Sequence, residues 1–149
     1  MAQEPEPESN YSVEALLSCE QLEDKRYVLR VVGVTDLPLL FKTAPDRWGQ
    51  MQQWREMLGD PKTEREFLEE WSPSNHADKI QAPVFMAYGL TDPRVNIRHQ
   101  RAMESAMKKA DVDYETMIKT DEGHGFRKQE NIYDFYGTMD TFLAEHLNP

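Results

Sequence analysis

The sequence predicts an α/β fold: a parallel sheet of about three strands with flanking helices. Three short runs rich in β-branched or apolar residues alternate with longer stretches whose apolar residues recur at helical spacing. The stretches between the runs are long enough for the helical crossovers that parallel strands need. No internal repeat is visible, which sets aside solenoids and propellers.

The first nine residues, Met1 to Ser9, alternate Glu and Pro and bury nothing apolar. Residues 1–10 are therefore read as a disordered acidic tail, and 11–149 as the folded part. Val13, Leu16, Leu17 and Leu22 suggest a short helix. Tyr27 to Val34 is a β-branched run and reads as the first strand. Between 36 and 80 the chain is helical but punctuated. Trp48, Met51, Trp54 and Leu58 share one helix face, and Gly59 is placed to end that helix. Asp60-Pro61 is read as the cap and first turn of a further helix running toward Trp71. Ser72-Pro73-Ser74-Asn75 is read as a loop. The aromatics Trp48, Trp54, Phe67 and Trp71 are read as packing residues rather than a substrate pocket.

Ala82 to Gly89 is the second strand, with Pro83 at its start and Gly at its exit. After a loop from Gly89 to Val95, Asn96 can cap a helix whose inner face is Ala102, Met103, Ala106, Met107 and Ala110. Lys108 and Lys109 suit its negative C-terminal end. Tyr114 to Lys119 is the third strand, followed by the loop Thr120 to Phe126. A last helix from about Asn131 to His146 carries Ile132, Phe135, Met139, Phe142 and Leu143 as its apolar stripe.

Composition removes several functions. With 27 acidic and 17 basic side chains the net charge is −10, the wrong sign for neutralising nucleic-acid phosphates. No stretch reaches the ~20 apolar residues of a membrane helix. The tail resembles neither a signal nor a transit peptide, so the expected location is cytoplasmic. Cys19 is the single cysteine, which leaves no internal disulfide and no Cys-based zinc site. His76, His99 and His146 are scattered without metal-binding spacing, and no Gly-rich phosphate loop occurs, so no metal or cofactor is expected.

Chemistry concentrates in two loops. Open α/β sheets carry their sites at the carboxyl ends of the strands, and two such ends lead to Asp92 and His124. The two lie one strand–helix–strand unit apart, so adjacent parallel strands would set the loops side by side. A carboxylate that accepts from one imidazole nitrogen leaves the other to act as a general base. Gly123 and Gly125 would give the ring room. On spacing alone, Asp92-Pro93 can equally be a turn, and Gly123-His124-Gly125 a tight turn of no chemical use. The neighbouring Asp121 and Glu122 can either act on the imidazole or be solvated.

These stretches are specific. Gly33-Val-Thr-Asp-Leu-Pro-Leu39, Asp78-Lys-Ile-Gln-Ala-Pro-Val84, Tyr88-Gly-Leu-Thr-Asp-Pro-Arg-Val95 and Glu122-Gly-His-Gly-Phe-Arg127 occur in this order. With Glu130-Asn131, Asp134-Phe135-Tyr136 and Phe142-Leu143, they resemble the C-terminal part of the catalytic domain of the prolyl oligopeptidase family of serine peptidases. The resemblance runs from about residue 27 to 147. It implies an α/β-hydrolase fold and a Ser-His-Asp triad that hydrolyses peptide bonds, with Asp92 as acid and His124 as base.

The nucleophile of that triad is not found. In this fold the serine lies in G-x-S-x-G, upstream of the acid and base. None of Gly33, Gly49, Gly59, Gly89, Gly123, Gly125 or Gly137 is followed two residues later by Ser. Ser9 has no flanking Gly, and Cys19 falls in a helical pattern, so neither is assigned. The 149 residues are therefore expected to be inactive alone, as a truncated hydrolase, one half of a split enzyme, or a non-catalytic interaction module. The resemblance also implies that the first strand lacks its upstream neighbour. Such an edge invites self-association or a covering partner.

Overall fold

The computed structural model describes residues 29–30, 33–45 and 51–147. The expected acidic tail, the helix near Leu16, most of the strand from Tyr27, and Ser9, Cys19 and Trp48 lie outside these residues.

Among the described residues the order is β1 (Leu29–Arg30), α1 (Leu37–Thr43), α2 (Met51–Leu58), α3 (Arg65–Glu70), a 3-10 stretch (Pro73–Lys79), β2 (Val84–Gly89), α4 (Arg98–Lys109), β3 (Tyr114–Lys119) and α5 (Gln129–Leu147). The strands form one parallel sheet in the order β1-β2-β3. No described helix is long and apolar enough to cross a membrane.

β2 is the middle strand and is covered on both faces, which is why it reads as an unbroken apolar run. Its side chains alternate between two cores. Val84, Met86 and Tyr88 pack with Ala77, Val95, Met103 and Met107. Phe85 faces the other way, onto Phe135 and Phe142 of α5, with ring centroids 5.9 and 5.7 Å away. The helix before β3 and the helix after it thus cover opposite faces of the sheet. β3 is covered less, and its Ile118 is exposed.

Several expectations hold, β2 begins at Val84 rather than Ala82 so that Pro83 lies just outside it, and three further expectations change. β3 has the predicted limits, and α5 extends the predicted helix by two residues at its start. Gly59 follows α2 with φ of 107°. Asp60, however, does not cap α3. Its Oδ1 accepts from Lys62 N in a tight turn, while Glu64 Oε2 accepts from Asp60 N, so the helix begins only at Arg65. Asn96 likewise accepts from Arg98 N at 3.1 Å but lies one residue outside the cap position of α4. The segment after Ser72 is 3-10 helix, not open loop. Ser72 is fully buried there because its hydroxyl donates to Leu68 O at 2.6 Å and accepts from Leu37 N at 2.8 Å. Of the helical aromatics, Trp54 and Trp71 are half-buried and Phe67 is half-exposed.

The α4 face also buries polar groups. His99 is fully buried: its Nδ1 faces Thr35 N at 3.4 Å, and its carbonyl accepts from Thr35 Oγ1 at 2.7 Å. This joins the segment after β1 to the first turn of α4. Burial pushes the imidazole's pKa down from 6.5, against the opposing pull of Asp36.

Candidate active site

β2 and β3 are adjacent and parallel, in register from Val84↔Tyr114 to Gly89↔Lys119. Their carboxyl ends therefore release the two loops side by side. The backbones touch: Leu90 N donates to Lys119 O at 2.8 Å, and Thr91 N to Glu122 O at 3.0 Å. This contact requires glycine at 89. A Cβ there would lie 2.2 Å from Gly123 O and 2.5 Å from Glu122 O, closer than any real Cβ contact.

Asp92 is held from behind. Its Oδ1 accepts from Arg94 N at 2.7 Å and Val95 N at 3.0 Å, closing a turn over its own carboxylate. That leaves Oδ2, which lies 2.9 Å from His124 Nδ1. The carboxylate is nearly buried, with 8 % of the side chain exposed, whereas the imidazole is 47 % exposed. The pair is thus a shielded anion holding an accessible ring. The bond uses Nδ1 and leaves Nε2 for a second partner. The loop turns back at Gly125, whose φ of 91° suits only glycine, and Gly123 and Gly125 form a short antiparallel bridge around the His.

The imidazole borders a cavity of about 380 Å³, walled by Tyr88, Val95, Phe126, Ile132, Phe135 and Tyr136. Tyr88 is buried with its hydroxyl 3.4 Å from Gly33 O. Burial pushes its pKa up to about 12, so it stays neutral near neutral pH. Trp54, Phe67 and Trp71 take no part in this wall. A second depression of about 430 Å³, bordered by Asp36, Ser105 and Lys109, includes neither Asp92 nor His124.

The loop acids behave differently from a solvated pair. Glu122 is buried, and its carboxylate accepts from Lys128 N at 2.8 Å, Asn131 Nδ2 at 2.9 Å and Arg127 N at 3.1 Å. The Asn131 amide, helped by those two backbone N–H groups, holds its pKa below the ordinary 4.5. Asp121 is exposed and accepts from Lys128 Nζ at 2.6 Å, which lowers its pKa and raises that of the lysine. Spacing could not reveal the part of Glu122, because two of its three donors are backbone N–H groups, which carry no residue signature. The opposite ends of β3 and α5 bring together Glu115, Glu145 and His146, with candidate donor atoms within 4.8 Å of one another. This is the one group among the described residues able to offer three such donors to a cation. Both glutamates are exposed.

Comparison with known proteins shows the family and the fold. A model of the prolyl oligopeptidase family matches residues 16–149. Dipeptidyl aminopeptidase BIII of Pseudoxanthomonas mexicana is 33 % identical over 120 residues, covering 78 % of this chain and 17 % of that protein. Dipeptidyl peptidase family member 6 of Caenorhabditis elegans is 30 % identical over 121 residues, covering 78 % and 16 %. A puromycin-hydrolyzing peptidase of Mycobacterium tuberculosis superposes with a TM-score of 0.71 at 21 % identity, over 91 % of this chain and 24 % of that one. The chain spans under a fifth of the length of these two curated relatives, and its small parallel sheet is part of an α/β-hydrolase fold. With nearly its whole length matched by one family model, the chain belongs to the prolyl oligopeptidase family.

Proposed function

We propose that Asp92 and His124 are the acid and base of a Ser-His-Asp triad for peptide-bond hydrolysis, and that the serine comes from outside these 149 residues. The observation that carries this reading is the 2.9 Å bond between a shielded Asp92 carboxylate and His124 Nδ1. An aspartate in that place keeps the imidazole in the tautomer whose Nε2 is a free base. Nε2 would take the proton of the serine hydroxyl as it attacks the carbonyl carbon. Asp92 would stabilise the resulting imidazolium, which returns the proton to the leaving amine. Peptides as the substrate class are supported by the names of two relatives, a dipeptidyl aminopeptidase and a dipeptidyl peptidase family member.

Without a G-x-S-x-G serine or the N–H donor that follows it, the chain alone is not a working peptidase. Incubation with a fluorophosphonate probe and a chromogenic peptide should give neither labelling nor turnover, and a covalently labelled serine in this chain would overturn the reading. Co-expression with a segment carrying the family's G-x-S-x-G strand and helix should give hydrolysis that His124→Ala abolishes. Hydrolysis that survives that substitution would remove His124 from the role.

The same reading leaves β1 at the edge of the described sheet, where unpaired backbone groups favour a further strand. Association through this edge, with a second copy or with the segment bearing the serine, is proposed as part of function. Sedimentation of the chain at low micromolar concentration should show a dimer or larger species; a stable monomer would count against it.

A further inference from the structure

We infer that Glu122 is a positioning residue for His124: it ties the His loop to the Asp92 loop and so sets the Asp92–His124 bond. The inference rests on the triad reading above and adds a residue to it.

Glu122 works at both ends of its own structure. Its carbonyl oxygen accepts from Thr91 N at 3.0 Å and from Thr91 Oγ1 at 2.7 Å. Thr91 is the residue before Asp92, so these bonds fix the start of the acid's turn to the start of the base's loop. Its carboxylate reaches forward over the loop to Arg127 N, Lys128 N and Asn131 Nδ2. His124 therefore lies in a loop whose two ends are joined by one side chain. Glu122 is 4 % exposed. The loop between is held also by the Gly123–Gly125 bridge and by the Asp92–His124 bond itself. Gly123 and Gly125 put no side chain beside the ring, and the His124 ring is about half exposed.

A neutral glutamine in this place would keep the volume but turn an NH₂ toward donors that need an acceptor. Buried donors left in that way destabilise the arrangement around them. The loop would loosen at Arg127 and Lys128, and the 2.9 Å contact to Asp92 would be the part that loses alignment.

The test uses the chain itself, labelled with ¹⁵N, and reads which ring nitrogen of neutral His124 carries the proton. That quantity does not follow from stability alone. In the parent protein the ring should be predominantly the Nδ1–H form, because Asp92 accepts there. Asp92→Ala should move it to the Nε2–H form. Glu122→Gln should move it the same way although Asp92 remains, and Thr91→Val should do so to a smaller extent. Glu130→Gln removes an equal charge from an exposed position nearby and should leave the ring as it was. If Asp92→Ala moves the tautomer while Glu122→Gln and Thr91→Val do not, the positioning role is overturned and the triad reading stands. If Asp92→Ala itself changes nothing, the triad reading falls and this inference falls with it. Should Glu122→Gln fail to fold, Thr91→Val decides, because Thr91 is exposed and loses only a hydroxyl.

Discussion

Gly89→Ala adds one methyl group at the point where the two loops meet. The methyl would lie 2.2 Å from Gly123 O, 2.5 Å from Glu122 O and 2.6 Å from Glu122 C. Relaxed non-bonded contacts sit near 3.5 Å, so the His loop must retreat by roughly 1 Å. All three atoms belong to the backbone, and no side chain can swing aside to absorb the change. Overpacking of this kind costs about 1–3 kcal/mol. In a chain of this size each kcal/mol moves the unfolding midpoint by roughly 2–4 °C, so a fall of about 2–12 °C is expected. The same retreat would stretch the 2.9 Å Asp92–His124 contact past hydrogen-bonding range. Thermal or urea unfolding gives the first quantity, and the His124 tautomer gives the second. Gly137→Ala is the matched control: its added Cβ meets nothing within 4 Å inside α5, so a gain of roughly 0.5–1 kcal/mol is expected. An unchanged midpoint and an unchanged His124 in Gly89→Ala would refute the claim that the loops are held by backbone contact.

Phe142→Ala should destabilise by about 3–5 kcal/mol, because the ring is 1 % exposed and packs on Phe85; a loss under 1 kcal/mol in urea unfolding would mean that α5 is not anchored there. Since burial lowers the His99 pKa from 6.5, the folded state favours the neutral ring. Its contribution is complete above pH 6.5 and is lost as pH falls toward the folded value. His99→Gln should flatten the pH dependence of unfolding below 6.5; an unaltered slope would refute this. The Glu122 pKa lies below 4.5 in the folded chain, so its stabilising effect is present above that value and is lost as pH falls through the lowered one. Amide exchange at Thr91 and Lys128, corrected for intrinsic rates, should lose protection together over that acid range; retained protection would show that the loops are joined by other means.

Much of this arrangement is written in apolar periodicity. β2 and β3 announce themselves because a strand covered on two faces must be apolar throughout, while an edge strand alternates. α5 is legible because Phe135, Met139 and Phe142 repeat at helical spacing against one sheet face. Topology allowed the pairing of Asp92 with His124, since adjacent parallel strands put successive loops together, but left both open to being simple turns; it was the family resemblance of their motifs that singled the pair out. What stayed hidden depends on side chains reaching to backbone. Glu64 reaches back to Asp60 N and delays α3, Ser72 bridges Leu37 and Leu68, and Glu122 closes its loop on Lys128 N. A polar residue gives no sign in a sequence of whether its partner is water or a backbone group. Gly89 looked like a strand exit, and the crowding that requires glycine there appears only when the second loop is present.

The separation of Asp92 and His124 by 32 residues has a consequence for how the site comes into being. Both side chains, both loops, α4, α5 and most of the two cores fall within Val84 to Leu147. Closing a loop of 32 residues costs on the order of 3 kcal/mol, which the packing within the same segment offsets. The Asp92–His124 bond is therefore built within this one segment, which is expected to open and close as one cooperative unit. Native-state hydrogen exchange would then give β2, β3 and the inner face of α5 a single opening free energy.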